Sequence, residues 1–305
     1  MADMTQAVGG ALTARTSLIK DLAKLERREK LIYFAFLGPL LLYLAVFFIY
    51  PLATFLPTSV YVDGAFTFEK YIRAFTKPVY LRILRTTFEI SALTTIIALL
   101  LGYPIAYLFT HVTGKMKGIV TVFIILPFWT SIIVRMYAWM SLLGYNGIFN
   151  RLFIASGMIS EPFPMMFNRF GVLVGMVHYM LPYMILSIYA VMSGIPPDYM
   201  QAGANLGAPP IKRFIRIYLP LSMPGIGAGC LLVFIISLGF FITPALLGGL
   251  KDTMIAQIIE QEMSQTFDWA FAAALSTILI FVTITLYIIY SRLMSVERIY
   301  EGKGQ

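Results

Sequence analysis

The sequence predicts an all-α polytopic membrane protein of about six transmembrane helices. Three observations lead there: 59% of the 305 residues are hydrophobic, only 12% are charged, and the apolar residues gather in long uninterrupted runs. Soluble domains carry about a quarter charged residues, and about 20 consecutive apolar residues cross a bilayer. A soluble fold is excluded on that ground.

The elements follow in order. Residues 1–30 are polar and end in the charged run Lys24, Glu26, Arg27, Arg28, Glu29, Lys30. This segment is too long and too mixed in charge for a cleaved leader, so it is expected to remain as a cytoplasmic tail. A transmembrane domain is expected over 31–293, with spans near 31–56, 83–109, 118–143, 170–193, 220–247 and 269–293. Between the first two spans, Lys70, Arg73, Lys77 and Arg82 crowd one segment, which an amphipathic interfacial helix would explain. A Gly-, Pro- and Asn-rich loop over 144–169 separates the third and fourth spans. A polar loop over 194–219 separates the fourth and fifth, and residues 294–305 form a short tail. Pro104, Pro127, Pro182, Pro220, Pro224 and Pro244 fall in or at the ends of the spans, where neighbouring helices can satisfy the carbonyls they free. The pairs Gly171/Gly175 and Gly225/Gly229 predict close helix contacts.

Orientation rests on basic residues. With the N-terminus inside, the tail, Lys115, Lys117, Lys212, Arg213, Arg216, Arg292, Arg298 and Lys303 place 14 of the 23 Lys and Arg on the cytoplasmic side. Both termini are therefore expected in the cytoplasm, and the net charge of +8 is read as this bias rather than as nucleic-acid binding. Cys230 is the only cysteine, so no intrachain disulfide forms. His111 and His178 lack partners at ligand spacing, and no metal site is expected. The chain contains no GxxxxGK[ST], GxSxG, HExxH or CxxC motif, so it is expected to be no enzyme and to hold no cofactor of its own.

The polar loop is the most informative stretch. It reads PPDYMQAGANLGAPPIKRFIRIYLPLSMP from Pro196 to Pro224. Asp198 behind two prolines is a candidate N-cap for a short helix to Leu206, and Ala202, Gly203 and Ala204 leave one face nearly bare. Gly207 can take the left-handed conformation that ends the helix. A second short helix is expected from Pro209 and Pro210, with Lys212, Arg213 and Arg216 on its polar side and Phe214, Ile215 and Ile217 turned inward. The result is a two-helix knuckle suited to close approach by another protein.

These residues resemble the permease subunits of binding-protein-dependent ABC importers. The family signature is a cytoplasmic Glu-Ala-Ala, a Gly four residues on, then nine residues and Ile-x-Leu-Pro. Here Gln201, Ala202 and Gly203 hold the opening triplet, Gly207 the glycine, and Ile217, Leu219 and Pro220 the end. Gln201 and Gly203 depart from the pattern, and Gln201 removes a charge. The stretch SLGFFITPALLGG from Ser237 to Gly249 is similar to the first permease of spermidine/putrescine-type importers, as is RREKLIYFAFLGPLLLYLAVFFIYPL near the N-terminus. Opine, ferric iron, thiamine and sulfate systems have related permeases.

The resemblance implies a type I ABC importer permease fold in the bacterial inner membrane, with the knuckle inserted into a cleft of an ATP-hydrolysing subunit. It implies two such ATPase subunits carrying ATP and Mg, a second permease, identical or homologous, and a periplasmic or extracellular solute-binding protein. If the solute is a polyamine, carboxylates and aromatic faces are needed for ammonium groups and methylenes. Trp129, Tyr137, Phe240, Phe241, Thr243 and Asp268 offer that chemistry, and Glu89 is an ionisable group within a span. A stand-alone secondary carrier or channel is the alternative from another class. Arg135 is expected to snorkel or to pair with an acid, and His178 to hydrogen-bond between helices.

Overall fold

The computed structural model describes residues 37–62 and 64–301, with side chains through Arg292 apart from Val62. The expected tail over 1–30, the first residues of the first span, and Arg298 and Lys303 lie outside what is described. The chain divides into two units, Met1–Pro57 and Thr58–Gln305. The first unit holds all but the end of helix α1 (Leu37–Ser59), which is long and apolar enough to cross a membrane.

The second unit begins with a two-residue hairpin, β1 (Tyr61–Val62) and β2 (Ala65–Phe66). The interfacial segment follows as α2 (Glu69–Thr76), strongly one-sided in its hydrophobicity. Helix α3 (Pro78–His111) opens with Pro at its first position, where the missing N–H costs nothing, and starts about a turn earlier than the hydropathy suggests.

The third span is not one straight helix. It breaks into α4 (Gly114–Trp129) and α5 (Ile132–Leu143), and the axis turns by 103° between Gly114–Trp129 and Ile132–Ala155. Pro127 removes a backbone donor, and Thr130 and Ser131 take extended ψ values of 135°. Hydropathy is blind to such a break because both halves are apolar. The loop after it contains a further helix, α6 (Ile148–Ala155). Buried Asn150 ties that loop down, donating to the Gly144, Tyr145 and Phe163 carbonyls and accepting from the Phe163 N–H.

Helix α7 (Arg169–Met192) is capped by the Asn168 side chain, which accepts from the Gly171 N–H at 3.1 Å. It is followed by α8 (Pro197–Asn205) and α9 (Pro210–Leu238). The second short helix of the knuckle therefore does not exist separately. It is the first turns of α9, joined through a π-helical turn at Phe214–Tyr218. The fifth span also ends early: Gly239–Phe241 is non-helical and α10 (Ile242–Leu247) follows. The Pro244 ring would meet the Phe240 carbonyl if the helix ran through. Helix α11 (Ile255–Ser264) occupies the loop before α12 (Trp269–Glu301), which runs into the expected tail. Among the described residues, five helices are long and apolar enough to span, or six with the bent pair taken as one.

The core of this unit is α3, α7 and α9. In a bilayer, small residues and van der Waals fit hold helices together, since lipid is as apolar as leucine. A Cβ on Gly229 would sit 2.8 Å from Met184 Sδ, and one on Gly225 would sit 2.9 Å from Val191 Cβ. The second glycine pair thus lets α9 close on α7. The first does similar work at the other end of α7, where Gly175 admits Thr243 and Leu247 of α10.

Candidate functional site

The knuckle is built by local rules. The Gly207 N–H bonds to the Ala204 carbonyl at 2.9 Å and the Ala208 N–H to the Gly203 carbonyl at 3.1 Å, closing the end of α8. That closure needs φ = +76° at Gly207, the left-handed value expected there. The expected N-cap is not formed: Pro196 holds the position and Asp198 lies in the first turn, favourable only to the helix dipole.

The departure at Gly203 has a physical cause. Gly203 is buried, and a Cβ there would lie 2.8 Å from Ile217 Cδ1 and 3.2 Å from Arg213 Cγ. Glycine lets the start of α9 press onto α8, and Arg213 crosses it to donate to the Met200 carbonyl at 3.1 Å. Arg213 is thereby an internal strut, not a member of an exposed basic cluster. Ile215, expected inward, is 54% exposed. Gln201 and Ala202 are exposed together with Leu206, Ile211, Lys212 and Arg216. The small-residue face is therefore split, with Gly203 spent inside and an apolar and basic surface offered outside. Ile217 and Leu219 are half-buried, with Ile217 against Gly203 of α8, while Pro220 is exposed.

The expected pathway residues scatter. Phe240 packs on Tyr179 with centroids 4.8 Å apart, and Thr243 is buried with Oγ1 3.1 Å from Met136 Sδ. These two share the break before α10. Trp129, 86% exposed, and Tyr137 flank the bend between α4 and α5. Glu89 pairs with Arg85 at 2.7 Å and with Arg169 at 2.9 Å, and Arg169 also reaches Asp252 at 3.2 Å. Asp268 receives Lys70 at 2.8 Å and Arg73 at 3.0 Å, and accepts from the Phe271 N–H. Burial pushes the Asp268 carboxyl up, but Lys70 and that N–H outweigh it and hold the group below its ordinary range. Arg73 also approaches Glu262 and lies over the Phe271 ring at 4.0 Å.

Arg135 neither snorkels nor meets an acid. It is buried and donates to the Pro127 and Thr130 carbonyls and to Thr130 Oγ1, so it replaces the helix bonds lost at the bend. A cation at the C-terminal end of α4 also suits the helix dipole. His178 accepts from Trp139 Nε1 at 3.1 Å, as a helix-packing histidine should. The residue that sequence reasoning passed over is Glu260. It lines a cavity of about 470 Å³ with Phe241, Met263 and Leu279, and meets no cation among the described residues. It lay in a loop without evident periodicity, and only the fold of α11 brings it to Phe241.

Residues 91–296 match the family described as "Binding-protein-dependent transport system inner membrane component". The chain belongs to that family. The permease is 35% identical over 226 residues to the spermidine/putrescine transport system permease protein PotB of Haemophilus influenzae, covering 74% of this chain and 79% of the relative. To PotB of Escherichia coli it is 33% identical, over 76% and 84%. Among solved structures, a bacterial ABC transporter that imports the acidic polysaccharide alginate matches with a TM-score of 0.72 at 18% identity, covering 89% of the permease and 97% of that chain. The methionine transporter MetNI in inward-facing form matches at 0.56 and 14%, over 71% and 94%. The permease has the type I importer fold and is a multi-pass inner-membrane transport subunit.

Proposed function

We propose that the permease forms half of the translocation pathway of an ATP-driven importer for a polyamine or related organic cation. The observation that carries this reading is the identity of 33–35% with two PotB proteins over about three quarters of the chain. The partners are two ATPase subunits with ATP and Mg, a second permease, and a solute-binding protein on the outer side. Both termini lie in the cytoplasm. Gln201, Ala202, Leu206 and Ile211 seat in the ATPase cleft, and Gly203, Gly207, Ile217, Leu219 and Pro220 hold the knuckle's shape. Arrival of ATP closes the ATPase pair, the knuckles approach one another, and the bundle changes access; the binding energy difference between the two states drives the change.

On the solute side, Phe241 and Glu260 supply a ring face and a carboxylate in one cavity, the pair a protonated amine requires; the carboxylate accepts from Ser264 Oγ at 2.9 Å and meets no cation among the described residues. Arg135 keeps amines away from the bend, since it has no acid to neutralise it. Labelled putrescine and spermidine uptake, in a strain lacking the operon and complemented with it, tests the reading. Uptake should need the ATPase and the binding protein, and Glu260→Gln should weaken it about tenfold. Uptake by this chain alone would establish a stand-alone carrier instead. Binding of only anions by the cognate delivery protein would refute the polyamine class.

A further inference from the structure

One cavity serves neither the ATPase contact nor the solute route. It encloses about 400 Å³ where the ends of α3 and α7, the first turns of α4 and the approach to α8 meet. Its lining combines two kinds of group: Lys117 and His111 supply N–H donors, and Met192, Ile195, Pro196 and Met200 supply apolar surface. The hydroxyls nearby are committed. Thr110 Oγ1 donates to the Tyr107 carbonyl at 2.7 Å, and Ser193 Oγ donates to the Ala190 carbonyl at 3.1 Å. Tyr218 lies 3.4 Å from Thr110 Oγ1.

Lys117 and His111 are held in place but meet no acid among the described residues. His111 Nδ1 donates to the Tyr107 carbonyl at 2.8 Å, which leaves Nε2 for another partner. Lys117 Nζ lies 5.9 Å from the ring centroids of both Phe109 and Tyr189, so two ring faces hold the ammonium at the cavity wall. Neither meets a carboxylate at ion-pair distance among the described residues. The site sits where the apolar helices α3 and α7 end.

We propose that this cavity binds the phosphate of an anionic membrane lipid, with its glycerol and upper acyl carbons against the apolar wall. Basic pockets between spans at the cytoplasmic boundary attract such headgroups, and here the pocket also has a surface for the lipid's apolar part. A free phosphate would use the same donors but leave that wall in water. Because Pro196 and Met200 lead into α8, the lipid braces the foot of the knuckle against the bundle. Coupling thereby becomes sensitive to leaflet composition, independently of which solute is carried.

The test uses the whole importer purified in mild detergent and in nanodiscs. Native mass spectrometry with added phosphatidylglycerol should show a retained lipid that Lys117→Gln weakens about fivefold. Lys117→Arg should keep it, which also separates lost charge from misfolding. Lys115→Gln removes a neighbouring charge outside the cavity and should have a smaller effect. Solute-stimulated ATP hydrolysis should be higher in phosphatidylglycerol-containing nanodiscs than in pure phosphatidylcholine, and Lys117→Gln should abolish the difference. Equal loss in the Lys115 and Lys117 variants would reduce the site to diffuse surface attraction and overturn the proposal. Displacement of the lipid by millimolar inorganic phosphate would overturn the lipid assignment.

Discussion

The charges at the two ends of the helix bundle are handled in opposite ways. At the end where α2, α11 and the start of α12 meet, Lys70 and Arg73 are paired with Asp268 and Glu262, and nearby Arg85 and Arg169 share Glu89 and Asp252. At the knuckle end, Lys115, Lys117, Lys212 and Arg216 meet no carboxylate among the described residues. The first end pairs these charges within the chain. The second leaves positive charge for surfaces that are not part of it. Among the described residues, segments 111–118 and 194–219 at that end carry Lys115, Lys117, Lys212, Arg213 and Arg216 against Asp198 alone.

Perturbing each end separately tests this contrast. The largest effect is expected from Gly203→Val. Its branched side chain must displace both Ile217 and Arg213, prising α8 from α9, so transport should fall more than tenfold while ATPase activity loses its dependence on solute. Gly203→Ala, whose Cβ meets only movable side-chain atoms, should cost a few-fold. Next comes Asp268→Asn, which leaves Lys70 and Arg73 without their shared acid. A loss of about 1 kcal/mol is expected, read as a lower melting temperature of the purified complex.

The same pairing fixes a pH dependence. Because the folded state holds Asp268 below its ordinary value of 3.8, its contribution is present above that value and is lost as pH falls through the lower folded one. Asp268→Asn should remove that acid limb from the melting profile. Glu89→Gln should matter less, since Glu89 is partly exposed and Arg169 keeps Asp252. The smallest effect on stability belongs to Lys212→Gln with Arg216→Gln. No ion pair is broken, so melting should not move, whereas association with the ATPase should weaken and become less sensitive to salt. A drop in melting for that double variant would dissolve the contrast between the ends.

How much of this was legible in the sequence depends on the kind of signal. Composition and run length gave the helical membrane class and the number of spans because the bilayer imposes both. The Gly207 elbow was legible because a left-handed residue at a helix end has few substitutes. Breaks inside apolar runs were not: Pro127 and Pro244 stop helices, whereas Pro104 and Pro182 lie within unbroken ones. Neighbouring packing, which is not local in sequence, decides between the two outcomes. Asp268 looked available for a solute because its partners stand 195 and 198 residues away. Glu260 went unnoticed for the converse reason.

The π-helical turn at Phe214–Tyr218 has a mechanical consequence. Because it joins the knuckle to α9 without a loop, Pro210–Leu238 is one 29-residue rod, about 44 Å long at 1.5 Å per residue. One end is the exposed knuckle, and the other stops at the aromatic break Gly239–Phe241. A tilt of one degree about the knuckle moves the far end by about 0.8 Å on that length. The knuckle and the aromatic break are thus the two ends of a single lever, with gearing set by helix length.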